Sequence, residues 1–223
     1  MIHNIKLGLK LTRFSPNLKG TLAGICLFVA CGIVYLFLFR DEGNILLQFL
    51  GLYFLAMPAF MISQIIPTCC YSGLVKSSEL GNHFIADVAV FTQLFLALIN
   101  YAVIVGAIFL GDVINLVADS NKGYLILSNG LLMGVFIIYS SMSYKGFIVS
   151  TSLFVVSFLG MYVGNIMYSS GQLAWLEIGS LQGILGGILC MLVGSVIAYG
   201  LAKLLWRRPM DKRAMANQLK AKL

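Results

Sequence analysis

The chain has 223 residues, of which 60% are hydrophobic and only 10% are charged, and its mean hydropathy is +0.94. A soluble domain typically carries charge on about a quarter of its residues, so this composition excludes an ordinary soluble domain. The net charge of +7 does not indicate a nucleic-acid partner, because the basic residues cluster towards the termini, where membrane topology explains them. We therefore expect one all-α transmembrane domain over residues 1–223, surrounded mostly by lipid.

Residues 1–19 predict an interfacial helix that lies along the cytoplasmic membrane surface. Three basic residues recur at helical spacing: Lys6, Lys10 and Arg13. Three apolar residues form a neighbouring face: Ile2, Ile5 and Leu9. This pattern is typical of amphipathic interfacial helices. The alternative is a basic tail that only directs membrane topology.

Six apolar runs follow, each close to the roughly 20 residues that a helix needs to cross a bilayer. The predicted spans are Thr21–Phe39, Ile45–Ile66, Phe84–Leu110, Tyr124–Met142, Phe147–Tyr168 and Ser180–Trp206. Pro58 is expected to kink the second span, and Pro67 is expected to end it. The six-span bundle thus covers residues 20–206, and residues 207–223 form a basic cytoplasmic tail.

The distribution of basic residues predicts that both termini lie in the cytoplasm. Thirteen of the 15 Lys and Arg residues fall on the side of the termini, and only Arg40 and Lys122 fall on the other side. Because basic residues are retained on the cytoplasmic side, this split predicts an N-in, C-in topology. The basic tail would also contact anionic membrane lipids.

Glycine residues recur at four-residue spacing in the last three spans. They are Gly130, Gly134, Gly160, Gly164, Gly179, Gly183 and Gly187. Such spacing lets membrane helices approach closely, so these residues are predicted to mediate helix packing. The alternative is a thin wall that lines a transport pathway.

Sequence motifs for catalysis are missing. The only histidines are His3 and His83, so an HExxH zinc site is excluded, and neither a GxSxG motif nor a P-loop is present. We therefore expect no enzymatic activity, no cofactor and no metal. Uncharged polar residues within the spans are expected to hydrogen-bond between helices, and the lack of a mid-membrane charge argues against an ion-coupled carrier. They are Gln48, Gln64, Gln93, Asn100, Asn165 and Gln182.

Two longer segments complete the layout. The first lies between the second and third spans and contains Tyr71, Ser72, Gly73, Leu74, Val75, Lys76, Ser77, Ser78 and Glu79. The second is Ser169–Gly179, on the opposite side. With six spans and a basic N-terminal helix, this layout resembles the permease subunits of ABC-2 type ABC transporters. The resemblance implies an elbow helix at Met1–Leu18, an ATPase-coupling segment at Tyr71–Glu79 and a re-entrant element at Ser169–Gly179.

The resemblance also implies a function and partners. The chain would export a peptide, lipid, glycan or drug-like substrate through a bacterial cell membrane, paired with a second copy or a related permease. A separate cytosolic ATPase would hydrolyse the ATP. Two alternatives stay open: the substrate-binding membrane subunit of a vitamin importer, and a non-transporting assembly or immunity protein.

Overall fold

The computed structural model describes residues 2–13, 18–38, 45–70, 83–113, 119–143, 145–173 and 178–205. Every regular element in these ranges is helical, which confirms the all-α fold class. The helices are α1 (Ile2–Arg13), α2 (Leu18–Leu38), α3 (Ile45–Cys70), α4 (Ala89–Val113), α5 (Asp119–Met142), α6 (Phe147–Ser169) and α7 (Ser180–Leu205). A π-helical turn, His83–Val88, leads directly into α4.

Five of these helices are long and apolar enough to cross a membrane, so the chain is a multi-pass membrane protein. The candidate spans are Leu18–Leu38, Ala86–Leu110, Lys122–Met142, Phe147–Tyr168 and Ser180–Leu205. They correspond to five of the six spans predicted from the sequence.

The remaining predicted span, Ile45–Ile66, falls on α3. Its described apolar stretch, Leu47–Ile62, is shorter than the other five, so a membrane crossing here stays a prediction. The expectation that Pro67 ends this helix is wrong, because α3 continues to Cys70. A proline removes only one N–H donor, and a membrane helix can absorb that loss near its end.

Pairs of contacts fix the relative directions of the helices. Helices α5 and α6 are antiparallel, because Tyr124 stacks on Tyr168 and Phe136 on Phe154. Helices α5 and α7 are parallel, because Gly123 lies against Gly183 and Gly134 against Gly194. Helices α4 and α7 are antiparallel, because Phe91 packs against Tyr199 and Tyr101 against Gly183. Helices α2 and α3 are also antiparallel, because Gly24 lies against Met61 and Gly32 against Leu55. Helices α3 and α5 are parallel, because Tyr53 packs against Phe136 and Gln64 contacts Ser140. One end of the bundle contains the starts of α2, α4 and α6 and the ends of α3, α5 and α7, and we call it the basic end.

Helix α5 forms the centre of the bundle, and its two sides pack differently. On the side of α3 and α6, aromatic rings separate the helices; Phe136 lies 4.7 Å from Phe60 and 5.7 Å from Phe154 between ring centroids. On the side of α7, glycines let the two backbones touch. Helices α2 and α6 expose most of their apolar side chains, as expected for helices at the lipid boundary.

Candidate functional site

The closest helix contact is a glycine seam between α5 and α7, formed by Gly123, Gly130, Gly134, Gly183, Gly187 and Gly194. A Cβ atom on Gly134 would lie 2.7 Å from the Cys190 carbonyl oxygen, and one on Gly194 would lie 2.7 Å from the Gly134 carbonyl oxygen. A Cβ atom on Gly130 would overlap the backbone of Gly187. Real Cβ atoms do not approach other atoms so closely, so the seam requires residues without side chains.

Tyr101 of α4 holds both partners of the seam. Its hydroxyl lies 3.3 Å from the Ile126 carbonyl oxygen of α5 and 3.2 Å from the Gly183 carbonyl oxygen of α7. The single hydroxyl proton is shared between these two acceptors. The ring also covers Gly187, where a Cβ atom would overlap the hydroxyl. Helix α4 is thereby fixed to the α5–α7 pair.

The seven glycines predicted to pack occupy different environments. Gly130, Gly134, Gly183 and Gly187 lie in the seam. Gly164 lies beside a tyrosine, since a Cβ atom on it would sit 2.9 Å from the Tyr124 hydroxyl. Gly179 lies beside Gly123, since its carbonyl carbon is 2.9 Å from the Cβ position of Gly123. Gly160 is exposed, and nothing described lies within 4 Å of its Cβ position.

Sequence reasoning missed Gly123. It contacts the Ile178 carbonyl at the start of the seam, but it falls one residue before the fourth predicted span. Its spacing of seven residues from Gly130, two helical turns on the same face, is the signal that could have found it.

Polar side chains link α3 to its neighbours. The Gln64 amide nitrogen donates to the Ser140 hydroxyl of α5 at 2.8 Å. The Asn100 amide nitrogen of α4 lies 3.1 Å from the Leu55 carbonyl oxygen of α3. These two contacts join helices, as the sequence led us to expect. Asn165 instead donates to the Met161 carbonyl of its own helix at 2.7 Å.

Helix α1 packs against the basic end of the bundle. Ile5 is buried, and Gly8 lies so close to the Thr92 side chain of α4 that a Cβ atom would overlap it. Helix α1 also touches α3 and the π-helical turn. The N-terminal segment is therefore a docked helix, and its basic residues Lys6 and Lys10 are exposed.

A polar cluster joins the start of α4 to the end of α7 at the same end. The His83 Nδ1 atom lies 2.7 Å from the Asp87 Oδ2 atom. The Lys203 ammonium sits 4.4 Å from the centre of the Tyr199 ring, and Tyr199 packs against Phe91 of α4. The Phe91–Tyr199 contact thus brings the start of α4 and the end of α7 together, each with charged side chains close by.

The proposed coupling segment, Tyr71–Glu79, lies outside the described residues; α3 ends before it at Cys70, and the π-helical turn follows at His83. Of the predicted re-entrant segment Ser169–Gly179, the structure describes the end of α6 at Ser169, a turn at residues 170–173 and the two residues before α7. In the part of the chain that is described, no cluster of three His, Cys, Asp or Glu side chains could hold a metal ion.

Comparisons with protein-family models, with curated proteins and with solved structures found no match to this chain.

Proposed function

We propose that the chain is the permease subunit of an ATP-driven transporter of the ABC-2 type, with six spans and both termini in the cytoplasm. The observation that carries the proposal is the docking of α1 on the bundle, with Gly8 against Thr92 of α4. A basic, amphipathic helix fixed at this end is the arrangement expected of an elbow helix at the cytoplasmic surface.

The positions of the charged residues in the described spans also support an energy source that lies in another protein. Each ionisable Lys or Asp within a candidate span lies within three residues of its end: Lys19, Asp87, Lys122 and Lys203. Carriers that use an ion gradient usually bury a charge where the ion binds. Because the chain also has no P-loop, ATP hydrolysis would come from a cytosolic partner.

The position of the segment Tyr71–Glu79 makes it the proposed coupling element. It leads into the π-helical turn and α4, and α4 contacts α7 through Phe91 and the seam through Tyr101. A movement of this segment would therefore be transmitted through α4 to the α5–α7 pair. Two such subunits, or one and a related permease, would form the pathway for a peptide, lipid, glycan or drug-like substrate.

The experiment is a pull-down of candidate cytosolic ATPases with two variants of the segment. Leu74→Asp should weaken ATPase binding several-fold more than Lys76→Ala does, because it places a carboxylate in a contact expected to be apolar. A rim charge such as Lys76 affects association rate more than affinity.

Both variants should still insert, because the segment lies between predicted spans, and membrane expression checks this. If Leu74→Asp retains full ATPase association and transport, the segment does not couple the chain to an ATPase. If the wild-type chain retains a tightly bound vitamin, the importer alternative replaces this proposal; if it binds no ATPase, the non-transporting assembly or immunity protein does.

A further inference from the structure

A cleft of about 310 Å³ opens between α6 and α7 at the basic end of the bundle. Helix α5 forms its floor with one face, from Val135 to Met142. Ser150, Leu153 and Ser157 of α6 form one wall, and α7 forms the other. The lining is almost wholly apolar, and the Ser150 hydroxyl already donates to the Phe147 carbonyl at 3.0 Å.

The unequal packing of α5 accounts for the cleft. The glycine seam draws α7 against α5, with a Cβ position 2.7 Å from backbone at both Gly134 and Gly194. Aromatic rings keep α6 farther from α5, because the Phe154 ring of α6 packs against the Tyr139 ring of α5, with 5.5 Å between ring centroids. A space therefore remains between α6 and α7 above α5.

The depth and shape of the cleft match a lipid chain. It extends over eight residues of α5, from Met142 at the helix end to Val135, which is about 10 Å along the helix axis. One leaflet of a bilayer core is about 15 Å thick. A cavity of roughly 150 Å³ admits benzene, so the cleft has room for on the order of a dozen chain carbons.

The rim of the cleft is open to the bilayer. Leu153 of α6 and Ile197 of α7 line the cleft and are 50% and 45% exposed. Both helices are candidate membrane spans, so the opening faces the lipid hydrocarbon. Lys145 lies in the α5–α6 turn, which connects the lining residues Met142 and Ser150, and its positive charge favours an anionic headgroup.

We propose that this cleft is a binding site for one acyl chain of an anionic phospholipid, taken from the leaflet at the basic end. The chain lies along α5 between α6 and α7, and its headgroup is held near Lys145. This site does not depend on the transport function, because it rests on the packing of three helices alone.

Native mass spectrometry of the purified full-length chain tests the proposal. The delipidated protein is titrated with phosphatidylglycerol and with phosphatidylcholine of identical chains. Ser157→Phe should fill the cleft and lower the fraction of protein that carries one phospholipid at least fivefold. Val156→Phe is the matched control, because Val156 is the adjacent residue and is 67% exposed.

A second pair of variants tests the same cleft from another helix, so that the proposal stays testable if Ser157→Phe does not fold. Val135→Phe fills the cleft from α5, and Leu131→Phe, one turn away on the lipid-facing surface, is its control. Size-exclusion chromatography checks that each variant is monodisperse. Lys145→Gln should lower the binding of phosphatidylglycerol to that of phosphatidylcholine.

Two results would overturn the proposal. Equal lipid retention by a folded filling variant and its control would show that phospholipid binds elsewhere. Equal binding of the two phospholipids by the wild-type chain would reject the anionic headgroup. Neither measurement uses an ATPase, so failure here is distinct from failure of the transporter proposal.

Discussion

At the scale of single residues, glycine serves two different purposes in this chain. Gly130 lies where α5 and α7 touch, and a Cβ atom there would overlap the backbone of Gly187. Gly160 lies on the exposed surface of α6, with nothing described within 4 Å of its Cβ position. The two residues share a four-residue spacing with another glycine, but only one of them needs to be small.

Alanine substitutions at these two positions should have opposite consequences. Gly130→Ala forces the α5 and α7 backbones apart and should lower stability by about 1–3 kcal/mol, the usual cost of overpacking. Gly160→Ala adds a methyl group to open space and should be neutral or slightly stabilising, because alanine favours a helix more than glycine does. Thermal unfolding in mild detergent measures the difference. A loss of stability of equal size in both variants would contradict this account of the seam.

Residue spacing could predict that close helix contacts exist, but not which glycines make them. Spacing places Gly130 and Gly134 on one helical face, and Gly160 and Gly164 on another, with the same pattern. Which face meets a neighbour depends on how each helix is rotated in the bundle, and that follows from tertiary packing. For the same reason, no sequence pattern indicated that Tyr101 would serve as the hydroxyl donor to both helices of the seam.

At the scale of helices, α1 illustrates how an amphipathic segment is fixed by one close contact. Its Ile5 side chain is buried, and Gly8 lets the helix backbone approach Thr92 of α4. Thr92 is fully buried beneath this contact. A side chain at position 8 would separate the two helices, since the Thr92 Cγ2 atom is only 3.0 Å from the Cβ position of Gly8.

Gly8→Val should therefore release α1 and expose position 92. In a cysteine-free background with Thr92→Cys, the alkylation rate by N-ethylmaleimide should rise on the order of tenfold, since overpacking costs about 1–3 kcal/mol and 1.4 kcal/mol is a factor of ten. Lys6→Val is the control, because it adds the same residue type on the exposed face of α1. If both substitutions leave the rate unchanged, α1 is not held by this contact.

The sequence predicted the helices well and their ends less well. Apolar runs indicated the helices, because a membrane span must be both long and apolar. The ends depend on local backbone hydrogen bonds, which hydropathy does not report. Helix α5 accordingly begins at Asp119, five residues before the predicted start at Tyr124, and α3 runs through Pro67. The segment Tyr71–Glu79 lies outside the described residues, so its proposed role rests on sequence and on its flanks.

At the scale of the whole molecule, the alternating helices place most basic residues of the described ranges at one end. Lys19, Lys145 and Lys203 lie at the start of α2, between α5 and α6, and at the end of α7. The positive-inside rule predicts that such an end faces the cytoplasm. The docked α1 helix lies at the same end, as do Cys70 and His83, which flank the proposed coupling segment, so the transporter proposal depends on this orientation.

The two ends of α6 allow a direct test of that orientation. Helix α6 has 23 residues, about 34 Å at 1.5 Å per residue, which is enough to cross a hydrocarbon core of about 30 Å. Lys145 precedes it at the basic end, and Ser170 follows it at the other end and is exposed. In a cysteine-free background, a membrane-impermeant maleimide should label Ser170→Cys in intact cells, and should label Lys145→Cys only after permeabilisation. Labelling of both positions in intact cells would mean that α6 does not cross the membrane. Labelling of Lys145→Cys alone would reverse the orientation, and a cytosolic ATPase could then not reach the segment after α3.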